Sequence, residues 1–327
     1  MRRYFIYFLI LVFPWSGCIP ALTGANSTVP SGSLESSLPL KPSSVRFAVI
    51  GDNGTGGPEE YEVAQRMAEY QKQVLFDFVL MLGDNIYGGG SPSDFENKFE
   101  RPYRSLLSLN VKFYAALGNH DSPKERFYKL FNMGGAKYYA FTKGNCRFFA
   151  LDSNYFDPPQ YAWLEKELQN ASSRWKICYF HHPLYSSGAT HGPSLALRQI
   201  LEPLFVKYGV NVVLSGHDHI YERTKPQKGI YYFVSGAGGQ LRRGNVRKTD
   251  LTAASFDQDR SFMLVEVAED TLYFQTISRT GKTVDSGALQ RITPSEKISA
   301  LFQFGASGSL ARSPSTQITH FSTPRQT

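Results

Sequence analysis

Between Val45 and Arg291 short apolar runs recur, and each ends in a cluster of Gly, Asn, Asp or His. Arg46–Ile50 runs into Gly51-Asp52, Phe78–Leu82 into Gly83-Asp84, and Val111–Leu117 into Gly118-Asn119-His120-Asp121. Further on, Trp175–Phe180 runs into His181-His182, and Val210–Leu214 into Ser215-Gly216-His217-Asp218-His219. Unbroken apolar runs of this length read as buried strands. Glu59–Gln73, Gln160–Asn170 and Pro193–Tyr208 carry helical spacing, so the order β-α-β predicts an α/β core. After Gly229 the strands follow back to back as Ile230–Val234, Ser261–Val267 and Thr271–Ile277, with Ala268-Glu269-Asp270 as a hairpin turn. The expectation is a second sheet packed on the first. Ligands of such sheets gather outside the carboxyl ends of the strands, which is where every polar cluster falls.

The ends read differently. Met1-Arg2-Arg3 followed by the apolar Tyr4–Trp15 is shorter than the ~20 residues of a membrane-spanning helix and predicts a signal peptide over residues 1–18. Trp15-Ser16-Gly17-Cys18 partly resembles a bacterial lipobox, which leaves open a lipidated Cys18, ordinary cleavage after a small residue such as Ala25, or an uncleaved anchor. The protein is expected to be exported, as a secreted, periplasmic or membrane-anchored lipoprotein. Residues 19–44 are rich in Ser, Pro and Gly and read as a flexible linker, 45–292 as the folded domain, and 293–327 as a disordered tail.

With 42% hydrophobic and 19% charged residues over 327 positions, a well-cored globular domain is expected and a peptide or disordered chain is excluded. Lys+Arg 35 against Asp+Glu 28 gives +7, which suits anionic partners, but no basic cluster interleaved with aromatics supports nucleic-acid binding. Three cysteines, Cys18, Cys146 and Cys178, are too few and too far apart for a disulfide framework or a thiolate zinc site; Cys146 and Cys178 are expected as buried free thiols. Metal chemistry must therefore use His, Asp, Asn or Tyr.

Taken together, the strand ends read GDNG (51–54), GDNIY (83–87), GNHD (118–121), FHHP (180–183) and GHDH (216–219). Any one of them could be a capped turn. Five together describe a two-metal site, because carboxylate, phenolate, amide and imidazole suit iron, zinc or manganese, and paired ions clamp both attacking and leaving oxygens of a phosphoryl group. Gly236-Ala237-Gly238-Gly239 lacks the Lys and helix pattern of a nucleotide loop and reads as a tight turn near the metals; Tyr221-Glu222-Arg223 reads as a packing and salt-bridge segment.

The set resembles the metallophosphoesterase superfamily and, within it, the purple acid phosphatases of the small tartrate-resistant type, from about Arg46 to Ile277. The Tyr of GDxxY is present as Tyr87, and Gly54 stands where other metallophosphoesterases carry a His. The resemblance implies a four-layer metallophosphoesterase sandwich, two mixed β-sheets packed together and flanked by helices. It further implies that Asp52, Tyr87 and His219 hold Fe(III), that Asp84 bridges, and that Asn119, His181 and His217 hold a divalent Fe, Zn or Mn. His181 rather than His182 follows from the family's His-x-Pro; strand alternation would send the neighbour to the opposite face. His120 is similar to the family's leaving-group histidine, with Asp121 a candidate to orient it, and His191 to a second substrate-facing histidine displaced by one residue. Asn119 would orient the substrate anion. The implied activity is acid hydrolysis of phosphate monoesters, small molecules or phosphoproteins, by metal-hydroxide attack in a monomeric enzyme. A phosphodiesterase or nucleotidase on the same centre, or a non-catalytic metal-binding surface protein, are the alternatives.

Overall fold

The computed structural model describes residues 35–292. Its core is two packed β-sheets. The first six-stranded sheet has the order β13-β12-β11-β1-β2-β3, with β1 (Val45–Ile50), β2 (Phe78–Met81) and β3 (Lys112–Ala115) parallel and β11 (Ser261–Ala268), β12 (Thr271–Ser278) and β13 (Thr283–Gln290) antiparallel beside them. The seven-stranded sheet has the order β10-β8-β9-β7-β6-β5-β4. Here β5 (Cys146–Ala150), β6 (Trp175–Tyr179), β7 (Val212–Ser215) and β9 (Tyr231–Ser235) run parallel, and β4 (Tyr139–Lys143), β8 (Tyr221–Thr224) and β10 (Thr252–Phe256) are antiparallel.

Apolar side chains of both sheets meet between them. Phe47 stacks on Phe78 with ring centroids 5.2 Å apart, and Phe148 of the other sheet meets both edge-on at 5.3 and 5.4 Å. Offset and edge geometries of this kind add to the burial of aromatic surface. Outside, α1 (Pro58–Val74) lays Val63, Met67 and Tyr70 on the first sheet, joined by Leu106 of the short α3 (Arg104–Ser108), which follows α2 (Pro92–Phe95). On the far side, α4 (Pro158–Asn170) and α5 (Leu195–Lys207) bury Leu164, Leu168, Leu201 and Phe205 against the second sheet. The four layers are thus helix, sheet, sheet, helix. Pro58 in the first turn of α1 and Glu59-Glu60 beside it suit a helix start, and the Asp157 side chain caps α4 by accepting from Gln160 N.

Two sheets were expected, but their membership differs. The C-terminal strands do not form a sheet of their own: β11 pairs with β1 in the first, while β9 inserts beside β7 in the second. The first three parallel strands and the next four also part company, because the chain crosses to the other sheet after β3. Periodicity marks a strand but not its partner. Tyr221-Glu222-Arg223 is β8, and it does form the expected contact: Tyr221 Oη and Arg223 Nε both donate to Asp285 of β13, at 2.7 and 2.8 Å. Cys146 and Cys178 are buried and free, and burial pushes the Cys146 thiol up to about 12.

Residues 35–44, expected as part of the flexible linker, pack against the domain. Leu38 is buried, Leu40 N and Lys41 N donate to the two carboxylate oxygens of Glu266, and Ser37 N donates to Gln275 Oε1 at 3.0 Å. Glu266 and Gln275 are themselves wholly buried on β11 and β12. A buried carboxylate needs donors, and this segment supplies them. The signal peptide, Cys18 and the tail 293–327 lie outside the described residues; among those described, no helix is long and apolar enough to cross a membrane.

Replacing Glu266 with Ala should therefore release this segment. Hydrogen bonds to a charged group contribute about 1.5–3 kcal/mol, and a urea unfolding curve should show a loss of that order. A loss no greater than that of an exposed substitution would show that the segment is not held by Glu266.

Candidate metal centre

Each site residue sits just past the end of a parallel strand, in a turn that its own sequence makes sharp. Asp52 follows β1 with φ 54°, Asp84 follows β2 with φ 53°, and His217 follows β7 with φ 68°. These are left-handed conformations that side-chain-bearing residues seldom adopt, and together they cost on the order of several kcal/mol. Neighbouring glycines let the turns interlock. A Cβ on Gly118 would lie 2.1 Å from Asp84 Oδ1, and one on Gly216 would lie 2.4 Å from Asp52 Oδ2. Backbone amides then fix the carboxylates: His217 N donates to Asp52 Oδ2 and His120 N to Asp84 Oδ1, each at 2.9 Å. The glycine turn at 236–239 closes the cradle as expected, with Gly239 N and Gln240 N donating to the Asp52 carbonyl.

Two groups of ligand atoms result. In the first, Tyr87 Oη and His219 Nε2 each lie 3.4 Å from Asp52 Oδ1 and 3.4 Å from one another. In the second, His181 Nε2 lies 2.9 Å from Asn119 Oδ1, 3.1 Å from His217 Nδ1 and 3.4 Å from Asp84 Oδ1. Ligand atoms of Asp52, Asp84 and His181 lie within 4.8 Å of one another, so the Asp84 carboxylate is within reach of both groups.

The donor chemistry tests whether this arrangement fits cations. His181 Nδ1 faces the Leu82 carbonyl at 3.0 Å, an oxygen that only accepts, so the proton belongs on Nδ1 and the Nε2 lone pair faces the centre. There it meets the Asn119 oxygen and the Asp84 carboxylate, acceptor against acceptor. Burial, helped by the neighbouring imidazoles, holds His181 well below its ordinary value and His217 down to about 2; burial and the Arg242 charge hold His219 down to about 4. Burial, then the Asp84 charge, pushes Asp52 up, and burial, then Asp52 and Asp84, pushes the Tyr87 phenol up. Lone pairs converge in a buried space with no Lys or Arg salt bridge to either aspartate among the described residues. The neutral imidazoles are already in the form that binds metal ions, and a cation in each group would take the place of the protons that burial favours on Asp52 and Tyr87.

All seven expected ligand residues come together, and His120 and His191 border them. His120 is exposed, with its ring 5.0 Å from that of Tyr87; His191 is exposed, with its ring 4.2 Å from that of His217. Asp121 does not orient His120. Its buried carboxylate accepts from Gly118 N, Asn85 N, Ile86 N and Asn85 Nδ2 at 2.7–3.0 Å, which ties the GNHD turn to the GDNIY turn and leaves the exposed imidazole outside its reach.

Three features escaped the sequence reading. His182 is not on the opposite face: β6 ends at Tyr179, alternation ends with it, and the His182 ring lies 4.4 Å from that of His217 with Nδ1 2.9 Å from Ser153 Oγ. Arg242 reaches the centre from the loop after β9, its Nη2 3.2 Å from His191 Nε2. A cavity of about 440 Å³ opens beside Asn119 and His182, with Lys137, Asn154 and Tyr155 in its wall. The two histidines in tandem were the one visible signal.

Residues 45–221 match the calcineurin-like phosphoesterase family, and the chain belongs to it. The chain is similar to tartrate-resistant acid phosphatase type 5 of Oryctolagus cuniculus, 31% identical over 280 residues that cover 70% of this chain and 79% of the relative. Purple acid phosphatase 17 of Arabidopsis thaliana is 28% identical, covering 62% and 71%. Among solved structures, the fold is shared with a purple acid phosphatase from yellow lupin seeds, at TM-score 0.64 and 22% identity over 86% of this chain and 58% of that one. It is shared too with GAP50, the anchor in the inner membrane complex of Plasmodium, at TM-score 0.66 and 20% identity over 85% and 99%. The family and relatives mark a hydrolase of phosphate esters that binds metal.

The lowered His219 has a consequence for the metal-free protein. Unfolded, its imidazole takes up a proton near 6.5; folded, it stays neutral down to about 4. Between those values the unfolded state binds the extra proton, so stability falls as pH falls from about 6.5 toward 4. In metal-free protein His219→Gln should show a shallower fall over that window in denaturation midpoints. An unchanged slope would mean that His219 does not titrate as its burial dictates.

Proposed function

We propose that the protein is an acid phosphatase hydrolysing phosphate monoesters at a dinuclear metal centre. The observation that carries this is the convergence of metal-binding side chains around His181 Nε2 and Asp52 Oδ1, in two groups that share Asp84. In this reading Asp52, Tyr87 and His219 hold a ferric ion, Asn119, His181 and His217 hold a divalent iron, zinc or manganese ion, and Asp84 bridges. Bound there, the ions supply positive charge to a phosphoryl group and lower the pKa of the attacking water. The chain does the rest. Asn119 orients the anion, and the exposed His120, fixed through its backbone N–H to Asp84, donates a proton to the leaving alcohol. His191 cannot share that role through Nε2, because an arginine only donates, and Arg242 occupies that nitrogen as its donor. The cavity beside Asn119 gives the alcohol room, for a small ester or a phosphorylated side chain of a protein. The apolar N-terminus supports an exported enzyme, with Cys18 as the residue that lipidation would take.

Metal analysis with a phosphatase assay tests the reading. A phenolate on a ferric ion absorbs visible light, so the iron-loaded protein should be coloured and Tyr87→Phe colourless; a colourless iron-loaded wild type would remove the ferric assignment. His120→Ala should keep its metal yet lose about 10²–10⁴-fold in rate on esters with poor leaving groups, and much less on nitrophenyl phosphate, whose leaving group hardly needs a proton. Equal losses on both esters would take the acid role away from His120.

A further inference from the structure

Among the described residues the four most exposed large apolar side chains are Tyr155, Phe127, Leu75 and Leu109, at 58–71%. Tyr155 lines the cavity beside Asn119. The other three lie away from the metal centre: Leu75 and Leu109 stand just before β2 and β3, and Phe127 on the segment that follows β3. Lys112 N donates to the Asp77 carbonyl at 3.2 Å, so the stretches that carry Leu75 and Leu109 run side by side. Asn132 Nδ2 donates to the Phe113 carbonyl at 2.8 Å, which ties the short turn Lys129–Phe131 along β3. Between these pieces a cavity of about 170 Å³ is lined by Leu107, Asn110, Lys112, Lys129 and Leu130, and Leu130 is itself exposed. Apolar side chains gathered in this way, outside any core, mark a surface that meets something other than water.

Charge says what that is. Arg104, Lys112, Lys124 and Lys129 are exposed, and none of them forms an ion pair among the described residues. Arg126 lies over the Phe127 ring, 4.4 Å from its centroid, and adds to the row. From residue 101 to 132 the only acids are Asp121 and Glu125, and both are buried. Of the neighbouring acids, Glu96 is paired with Arg101, Glu100 accepts from the Tyr128 hydroxyl, and Asp77 is exposed. Cations and large apolar side chains on one face fit a partner that offers phosphates and hydrocarbon together, which is a bilayer of anionic lipid. A polynucleotide would meet the cations and leave Leu75, Leu109 and Leu130 in water.

We propose that this face docks the domain on an anionic lipid surface. Lys112 and Lys129 take headgroup phosphates at the cavity, while Leu109, Leu130 and Phe127 enter the boundary between headgroups and acyl chains. The metal ligands stand past the opposite ends of the same strands, Asp84 after β2 and Asn119 after β3, so a domain docked this way keeps its metal centre turned toward water. An N-terminus anchored through Cys18 would hold the chain beside such a surface, and two weak attachments then act as one strong one.

The test uses the full chain, whose apolar N-terminus is common to every comparison, and vesicles of phosphatidylcholine alone or mixed in equal parts with phosphatidylglycerol. In a flotation assay the wild type should bind the mixed vesicles more tightly than the neutral ones, and added salt should remove the difference. Lys112→Gln and Lys129→Gln should each weaken binding to the mixed vesicles by about fivefold and leave binding to the neutral ones unchanged. Both lysines are exposed, so the denaturation midpoints should stay at the wild-type value. Phe127→Trp reads the depth of the face directly: its added fluorescence should shift to the blue on mixed vesicles and be quenched by brominated acyl chains. Equal binding of the wild type to both vesicles, or lysine variants that bind as the wild type does, would overturn the proposal. Charge-dependent binding in which the indole at position 127 stays unquenched would overturn it too, because the cations would then serve a partner that offers no hydrocarbon.

Discussion

The centre depends on three residues that take the left-handed turn without being glycine. Asp52, Asp84 and His217 sit in that conformation, and in each case the turn swings a ligand atom back over the strand end rather than out to solvent. The strain is affordable only because the flanking glycines are true close-approach positions: Gly118 leaves room for the Asp84 carboxylate, and Gly216 for that of Asp52. Strain, packing and ligand placement are one arrangement. A methyl group at either glycine would act on the centre more directly than the loss of many a surface charge.

The centre also straddles the two sheets. Asp52, Asp84, Tyr87 and Asn119 come from turns after β1, β2 and β3 of the six-stranded sheet, whereas His181, His217 and His219 come from turns after β6 and β7 of the seven-stranded one. The separation between aspartates and imidazoles is therefore set by how the sheets pack. Phe47 and Phe78 on one side and Phe148 on the other fix that spacing, along with Trp175, Phe233 and Phe274. Interiors packed this closely transmit small displacements instead of absorbing them. Aromatic volume in the core thus bears on the geometry of a site that it does not touch.

The strand ends were legible because a local rule produces them: an apolar run, then a glycine, then a ligand. That pattern marked the strand ends at which the seven candidate ligands stand, and the resemblance picked the ligands out of them. It failed where the answer was held by residues far away in sequence. The sheet to which a strand belongs is settled by pairing between β1 and β11, some two hundred residues apart, and nothing in either strand names the other. Residues 35–44 have no periodicity, and only the buried Glu266 and Gln275 on distant strands explain why they are ordered. His182 was assigned to the wrong face because alternation was carried three residues beyond the strand. Asp121 beside His120 looked like a partner in the chain, yet its carboxylate turned to four donors of the neighbouring loops.

Charge accounts for the remaining division of labour. In the proposed assignment a ferric and a divalent ion bring more positive charge than two carboxylates and one phenolate bring negative, since Asn119 and the three imidazoles are neutral. The excess falls to whatever anion enters. A lone phosphate would meet it alone, in a buried space where charge is weakly screened. The exposed His120 and the His191–Arg242 pair border the centre, as do His182 and the cavity wall that carries Lys137. They differ in what they can do. The His120 ring lies exposed beside that of Tyr87, whereas the acceptor nitrogen of His191 is held by an arginine, which only donates. In the proposed reading, the side that carries His120 is thus the one that serves the departing alcohol.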